Sequence, residues 1–185
     1  MPFTLRPALP TDTAALAELA ARTFRETFAA DNRPEDMVAH EAESYGPAQQ
    51  GREIADPNIV TILVHAPDEH GALVGFSQVR RGPAPACVTD AAAVEVWRFY
   101  IAKAHHGKGI AQALMARVHA DAREMGAPTL WLGVWERNER AKAFYRKCGF
   151  TDIGAHVYMV GTDAQTDRIM VREVDTPNHS SGASE

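Results

Sequence analysis

Apolar residues recur along this chain in two periods, and the places where one gives way to the other mark its elements. Phe3 to Leu5 predict a short first strand. Leu16, Leu19, Ala20, Thr23, Phe24, Thr27 and Phe28 then fall at three- and four-residue steps, the stripe of an amphipathic helix, with Asp12 placed to cap it. Residues 31–57 are acidic and broken by Pro34, Gly46, Gly51 and Pro57, which predicts one or two short helices joined by loops. Ile59–His65 and Leu73–Arg80 read as strands of a hairpin turning at Asp68-Glu69-His70-Gly71. Ala93–Ala102 reads as a further strand. Strict alternation puts Glu95, Trp97, Phe99 and Ile101 on one side of it, and Val94, Val96, Arg98 and Tyr100 on the other.

A glycine-punctuated segment leads into a second long helical stripe, Ile110, Leu114, Val118, Ala122 and Met125, stopped by Gly126 and Pro128. Thr129–Trp135 is an apolar run suited to a strand covered on both faces. Asn138 can cap a short helix bearing Ala141, Phe144, Tyr145 and Cys148. Phe150–Val160 and Arg168–Val174 read as two last strands, and the small, polar residues 177–185 read as a disordered tail. The order is strand, helices, three strands, helix, strand, helix, two strands. That predicts one mixed α/β domain over residues 1–176, with helices packed on a central sheet.

Composition narrows the partners. The chain has 185 residues, 45% of them hydrophobic and 23% charged, with a net charge of −5. An acidic balance argues against nucleic acid as a partner, since neutralising phosphates takes a positive excess. No run is long and apolar enough for a signal peptide or a membrane span, so a cytoplasmic, membrane-free protein is expected. Cys87 and Cys148 make neither a disulfide framework nor a zinc site. His105 and His106 lack the carboxylates of a metal triad, and no metal is expected.

One stretch runs against the acidic trend. Between Lys103 and Ala120 there is no Asp or Glu, and Lys103, Lys108 and Arg117 add positive charge. Within it, His106-Gly107-Lys108-Gly109-Ile110-Ala111-Gln112 joins a strand to a helix. The first N–H groups of a helix have no internal partner, and the helix dipole makes that end positive. Glycines there let a phosphate approach the backbone. The pattern alone fits a ligand-free tight turn equally well. It has neither the spacing of a P-loop nor that of a dinucleotide fingerprint.

A second motif shifts the balance. Asn138-x-x-Ala141-x-x-Phe144-Tyr145-x-x-x-Gly149-Phe150 follows the buried strand. With the glycine turn, it makes Glu95–Phe150 resemble the GNAT acetyltransferases. His106 to Ala111 looks like their Gln/Arg-x-x-Gly-x-Gly/Ala motif, with His106 in place of Gln or Arg and Ala111 where glycine is common. Thr23-Phe24-Arg25-Glu26-Thr27-Phe28, Asn32-Arg33-Pro34-Glu35-Asp36-Met37, Trp131 to Glu136 and Gln165-Thr166-Asp167 are similar to the PaiA-type polyamine acetyltransferases. Together these cover most of the chain from Thr4 to Val174.

The resemblance implies a GNAT fold with splayed central strands, and transfer of acetyl from acetyl-CoA to a primary amine, such as spermidine or spermine. It implies that backbone N–H groups from Gly107 to Gln112 hold the pyrophosphate. The N–H groups of Phe99, Tyr100 and Ile101 would face the acetyl and pantetheine carbonyls, where Leu130–Trp135 diverges. Asn138, Ala141 and Tyr145 would complete the cofactor site. Tyr145 is the candidate acid for the departing thiolate. With a phenol pKa of about 10 against a thiol of about 8.5, full transfer is uphill, so it needs that pKa to fall or else the role is a hydrogen bond alone. Glu95 is the candidate base, acting through a water. Asp31, Glu35, Asp36 and Glu43 are candidates for holding a cationic acceptor, against an ordinary solvated face. Trp131 and Trp135 read as core. A catalytically silent acyl-CoA-binding domain and a peptide N-terminal acetyltransferase remain alternative readings, and pairing of two copies through the C-terminal strands is a possible assembly.

Overall fold

In the computed structural model, residues 3–67, 71–160 and 162–175 are described. The predicted turn at Asp68–His70 and the predicted disordered tail, residues 177–185, lie outside them. The strands are β1 (Thr4–Pro7), β2 (Ile59–His65), β3 (Leu73–Arg80), β4 (Val94–Ile101), β5 (Thr129–Trp135), β6 (Thr151–Val160) and β7 (Asp163–Glu173). The helices are α1 (Thr13–Phe28), α2 (Pro34–Ser44), α3 (Pro47–Ala55), α4 (Ile110–Glu124) and α5 (Glu139–Lys147). The strands form one sheet in the order β1-β2-β3-β4-β5-β7-β6. Every neighbouring pair is antiparallel except β4 and β5, which run parallel.

Helices cover both faces of the sheet. Leu114, Met115, Val118 and Ala122 of α4 lie on one face, against Val96, Leu130, Leu132 and Val134. Leu16, Leu19, Ala20 and Phe24 of α1 close the other face over Leu63 and Phe76. Both helices bury most of the residues their periodicity predicts, while Thr27, Phe28 and Met125 at the ends of the stripes are half-buried. Asp12 precedes α1, but its carboxylate does not cap the helix. It turns back to Arg6, at 2.7 and 2.8 Å, and to the Leu9 N–H at 2.7 Å. A guanidinium offers two charge-assisted bonds, which a helix N–H cannot match.

The sides of β4 differ from strict alternation. Val79 pairs with Val96 and Gln78 with Arg98, so Trp97 is an extra residue, a β-bulge. Beyond it the faces exchange. Val94, Val96, Phe99 and Ile101 face α4, whereas Glu95, Arg98 and Tyr100 face α1 and α3. Glu95 is therefore on the opposite face from Phe99 and Ile101. β7 also starts earlier than its apolar residues suggest, at Asp163. Its polar first half is a strand because it pairs with both Val157–Val160 of β6 and Trp135 of β5.

Candidate active site

β4 and β5 pair only at Val94–Leu130 and Glu95–Trp131, and then separate. The remaining residues of β4, including Phe99, Tyr100 and Ile101, have no ladder partner on β5. The divergence expected of Leu130–Trp135 is thus present. A cavity of about 970 Å³ fills the gap and crosses the sheet. On the α4 side it is lined by Gly107, Gly109, Ile110, Ala111, Gln112, Asn138, Ala141 and Tyr145. On the α1 side it reaches Phe28, Asp31, Glu95, Trp135, His156 and Asp167.

The glycine turn has the form its chemistry requires. Gly107 and Gly109 have φ of +76° and +79°, and Gly109 is the N-cap of α4. No side chain caps this end, and the first intrahelical bond near it runs from the Ala113 N–H to Gly109 O, at 3.3 Å. The N–H groups of Ile110, Ala111 and Gln112 thus form an exposed donor set at the positive end of a helix. A Cβ at Gly109 would touch no protein atom, so the glycine answers to φ and to space for a ligand, not to a crowded neighbour.

Charge at the turn is arranged differently from its sequence. Lys108 is exposed and does not line the cavity, and Arg117 is engaged by Asp121 at 2.7 Å. His106 is clamped: one ring nitrogen lies 2.8 Å from Ile101 O, and the other 2.6 Å from the Arg140 guanidinium. An acceptor on one side and a donor on the other select the neutral Nε2–H tautomer. Arg140, from the first turn of α5, was not singled out by its sequence context. Its guanidinium brings a positive charge to the cavity beside His106.

Tyr145 is buried against Phe99, Phe144 and Phe150. Burial raises its pKa well above the usual phenol value, so the lowering that proton transfer requires is absent and the hydrogen-bond alternative is the one left. Asn138 does cap its helix, accepting from the Ala141 N–H at 3.1 Å. Glu95 is buried on the far face and bound to Arg80 at 2.6 Å. Burial raises its pKa, and Arg80 opposes that rise. Arg80 and Arg98 each stack on the bulged Trp97, 3.8 Å from its ring, and Arg98 reaches Glu53 of α3. The bulge thus anchors the carboxylate.

The four acidic residues expected to gather around an acceptor do not come together. Asp31 lines the cavity. Glu35 is exposed, 3.7 Å from Arg33. Asp36 is buried and accepts from the N–H and hydroxyl of Thr162, which hold its pKa low. Glu43 is exposed and away from the cavity. The carboxylates that do line the cavity are Glu26, Asp31, Glu95 and Asp167. Trp131 is buried in the core, as expected, and also borders the cavity, whereas Trp135 is half-buried and lines the cavity beside Phe28.

The sheet opened between two parallel strands beside an uncapped, glycine-led helix is the arrangement that the sequence resemblance implies, and comparison with known proteins bears on its class. The family model for the acetyltransferase (GNAT) family matches residues 14–150. The chain is 33% identical over 164 residues to an uncharacterized N-acetyltransferase of Mycobacterium bovis, covering 89% of this chain and 99% of that one. It is 29% identical over 158 residues to an aminoglycoside N(6')-acetyltransferase of Stenotrophomonas maltophilia, covering 84% and 90%. The fold also matches the PaiA N-acetyltransferase of Thermoplasma acidophilum, solved with coenzyme A, at a TM-score of 0.73 and 21% identity over 94% of this chain and 99% of that one. The chain belongs to the GNAT acetyltransferase family, and is by class an acyl-CoA-dependent N-acetyltransferase.

Proposed function

We propose that this enzyme binds acetyl-CoA across the β4–β5 gap and transfers its acetyl group to a primary amine that enters from the α1 face, with spermidine or a similar polyamine as the acceptor. The observation that carries the reading is the single cavity joining the uncapped start of α4 to a carboxylate-bearing pocket on the opposite face. Acetyl-CoA fits the residues present, and supplies an activated acyl group on a thiol leaving group. The N–H groups of Ile110, Ala111 and Gln112 hold the pyrophosphate, with Gly107 and Gly109 giving it room. Phe99, Tyr100 and Ile101 offer backbone N–H groups to the acetyl and pantetheine carbonyls.

The amine must shed a proton before it can attack. A free alkylamine has a pKa of about 10.4, so roughly one molecule in two thousand is neutral at pH 7. Its nitrogen lone pair then forms the C–N bond, the C–S bond breaks, and the electron pair stays on sulfur. Tyr145 donates its hydroxyl hydrogen bond to that sulfur and keeps its own proton, which burial holds tightly; the thiolate takes up the proton that the nitrogen loses as the amide forms. Glu95, fixed by Arg80, sets negative charge on the acceptor side. It takes a proton only by giving up part of its ion pair.

The polyamine reading rests on the acidic acceptor side and on the Gln165-Thr166-Asp167 segment. Its test is release of free thiol from acetyl-CoA with spermidine, an aminoglycoside and a peptide N-terminus in parallel. Spermidine is expected to react fastest, with kcat/KM falling as salt rises, because exposed charges are screened over about 8 Å at physiological ionic strength. Rapid turnover of the peptide with spermidine inert would overturn the acceptor and leave the enzyme class standing.

A further inference from the structure

Asp167 on β7 pairs with Trp135 of β5 on one side and with His156 of β6 on the other. These residues project from the face that also carries Glu95, which pairs with Trp131 two residues before Gly133. The Asp167 carboxylate lies over Gly133. A Cβ at that glycine would stand 3.1 Å from Asp167 Oδ2 and 3.5 Å from His156 Nε2. Glycine at 133 leaves room for both side chains, at the point where β5 has parted from β4.

Among the carboxylates of the cavity, Asp167 stands apart in its partners. Glu95 is taken by Arg80, and Glu26 accepts from the Lys103 N–H at 3.0 Å. Asp31 is exposed at the rim. The Asp167 side chain has no hydrogen bond or ion pair among the described residues. Burial raises its pKa to about 6. Burial also lowers that of His156, so the neighbouring ring brings no compensating charge at neutral pH. The titratable groups facing it are His156 and Tyr158 from β6, and both Glu95 and Arg98 from β4 act on Tyr158. A half-buried carboxylate without a cation, lining the cavity on the side where the acceptor is proposed to enter, suits an ammonium group.

We infer that Asp167 receives the acceptor's ammonium and is the base that takes its first proton, with Glu95 and Arg80 orienting the nitrogen from the β4 side of the gap. The inference rests on the N-acetyltransferase reading, and deepens it. The ammonium N–H bond breaks, its electron pair stays on nitrogen for attack on the thioester carbon, and the proton moves to Asp167 and on to solvent. The nitrogen's second proton leaves as the amide forms and ends on the departing sulfur, to which Tyr145 donates a hydrogen bond. A carboxylate with a raised pKa is a stronger base than an exposed one and still ionised at neutral pH, which suits it to this step.

The test is the pH profile of kcat/KM for spermidine, kanamycin and an alanine-terminated peptide with wild type, Asp167→Asn, Asp167→Glu and Glu95→Gln. In wild type the profile rises through about pH 6, as Asp167 ionises. Asp167→Asn is expected to lose that limb and about tenfold or more in kcat/KM for the amine, while its KM for acetyl-CoA stays within about twofold. Asp167→Glu should restore the limb in part, and Glu95→Gln should keep it. A folded Asp167→Asn protein that retains both the limb and wild-type kcat/KM overturns the assignment and leaves the enzyme class intact. A wild type inert toward all three amines overturns the underlying reading, and this one with it.

Discussion

Two acids with raised pKa values flank the gap, Tyr145 buried and Asp167 half-buried, and the loss of water serves each differently. For Tyr145 it keeps the proton on the phenol, so the hydroxyl acts on the departing sulfur as a hydrogen-bond donor. Tyr145→Phe removes one oxygen from an aromatic cluster, so the fold should hold and acetyl-CoA affinity should change little. Turnover is expected to fall roughly ten- to a thousandfold, measured as kcat with chemistry shown to be rate-limiting. For Asp167 the same physics costs stability. Its pKa is about 6 folded, against 3.8 as the ordinary value. The folded state therefore binds the proton more tightly, and stability is lost as pH rises from about 4 through 6. Asp167→Asn removes that loss. It is expected to be about 1–2 kcal/mol more stable at pH 7.5, a few degrees in melting temperature, with the gain vanishing below pH 4. Thermal melts across that pH range check it, and no gain at pH 7.5 would mean the carboxylate is better solvated than its surroundings indicate.

At the scale of elements, the start of α4 is where geometry and chemistry coincide. A β-branched residue at Gly109, with φ +79°, is strained by about 1–3 kcal/mol and narrows the approach to the exposed N–H groups. Gly109→Val is expected to weaken acetyl-CoA binding by about tenfold or more in a protein that still folds, read by calorimetry. This turn was legible in the sequence because its signals are local: two glycines, a missing cap and the helical stripe that follows. So were α1, α4 and the Asn138 cap. The faces of β4 were not, because the Trp97 bulge exists only against β3, and alternation cannot register an extra residue. The first half of β7 was not, because Asp163 to Asp167 read as polar chain until β6 and β5 pair with them. The acidic helix α2 misled for the same reason. Asp36 points inward to Thr162, which lies 126 residues away in sequence. His106 and Arg140 likewise meet only in the fold, 34 residues apart.

Across the whole molecule, the sheet divides the work. The α4–α5 face carries the glycine turn and Tyr145, and the α1–α2 face carries Glu95, Asp167 and the aromatic wall of Phe28 and Trp135. The two faces communicate only where β4 and β5 part. A gap through the middle of a sheet has two mouths, so one guest need not depart before the other arrives. The proposed function then predicts reaction within a ternary assembly, with no acetylated protein intermediate. Double-reciprocal plots at several fixed amine concentrations should intersect, where a shuttle mechanism would give parallel lines. Desulfo-CoA, which carries the nucleotide end but cannot accept an acyl group, should compete with acetyl-CoA and not with the amine.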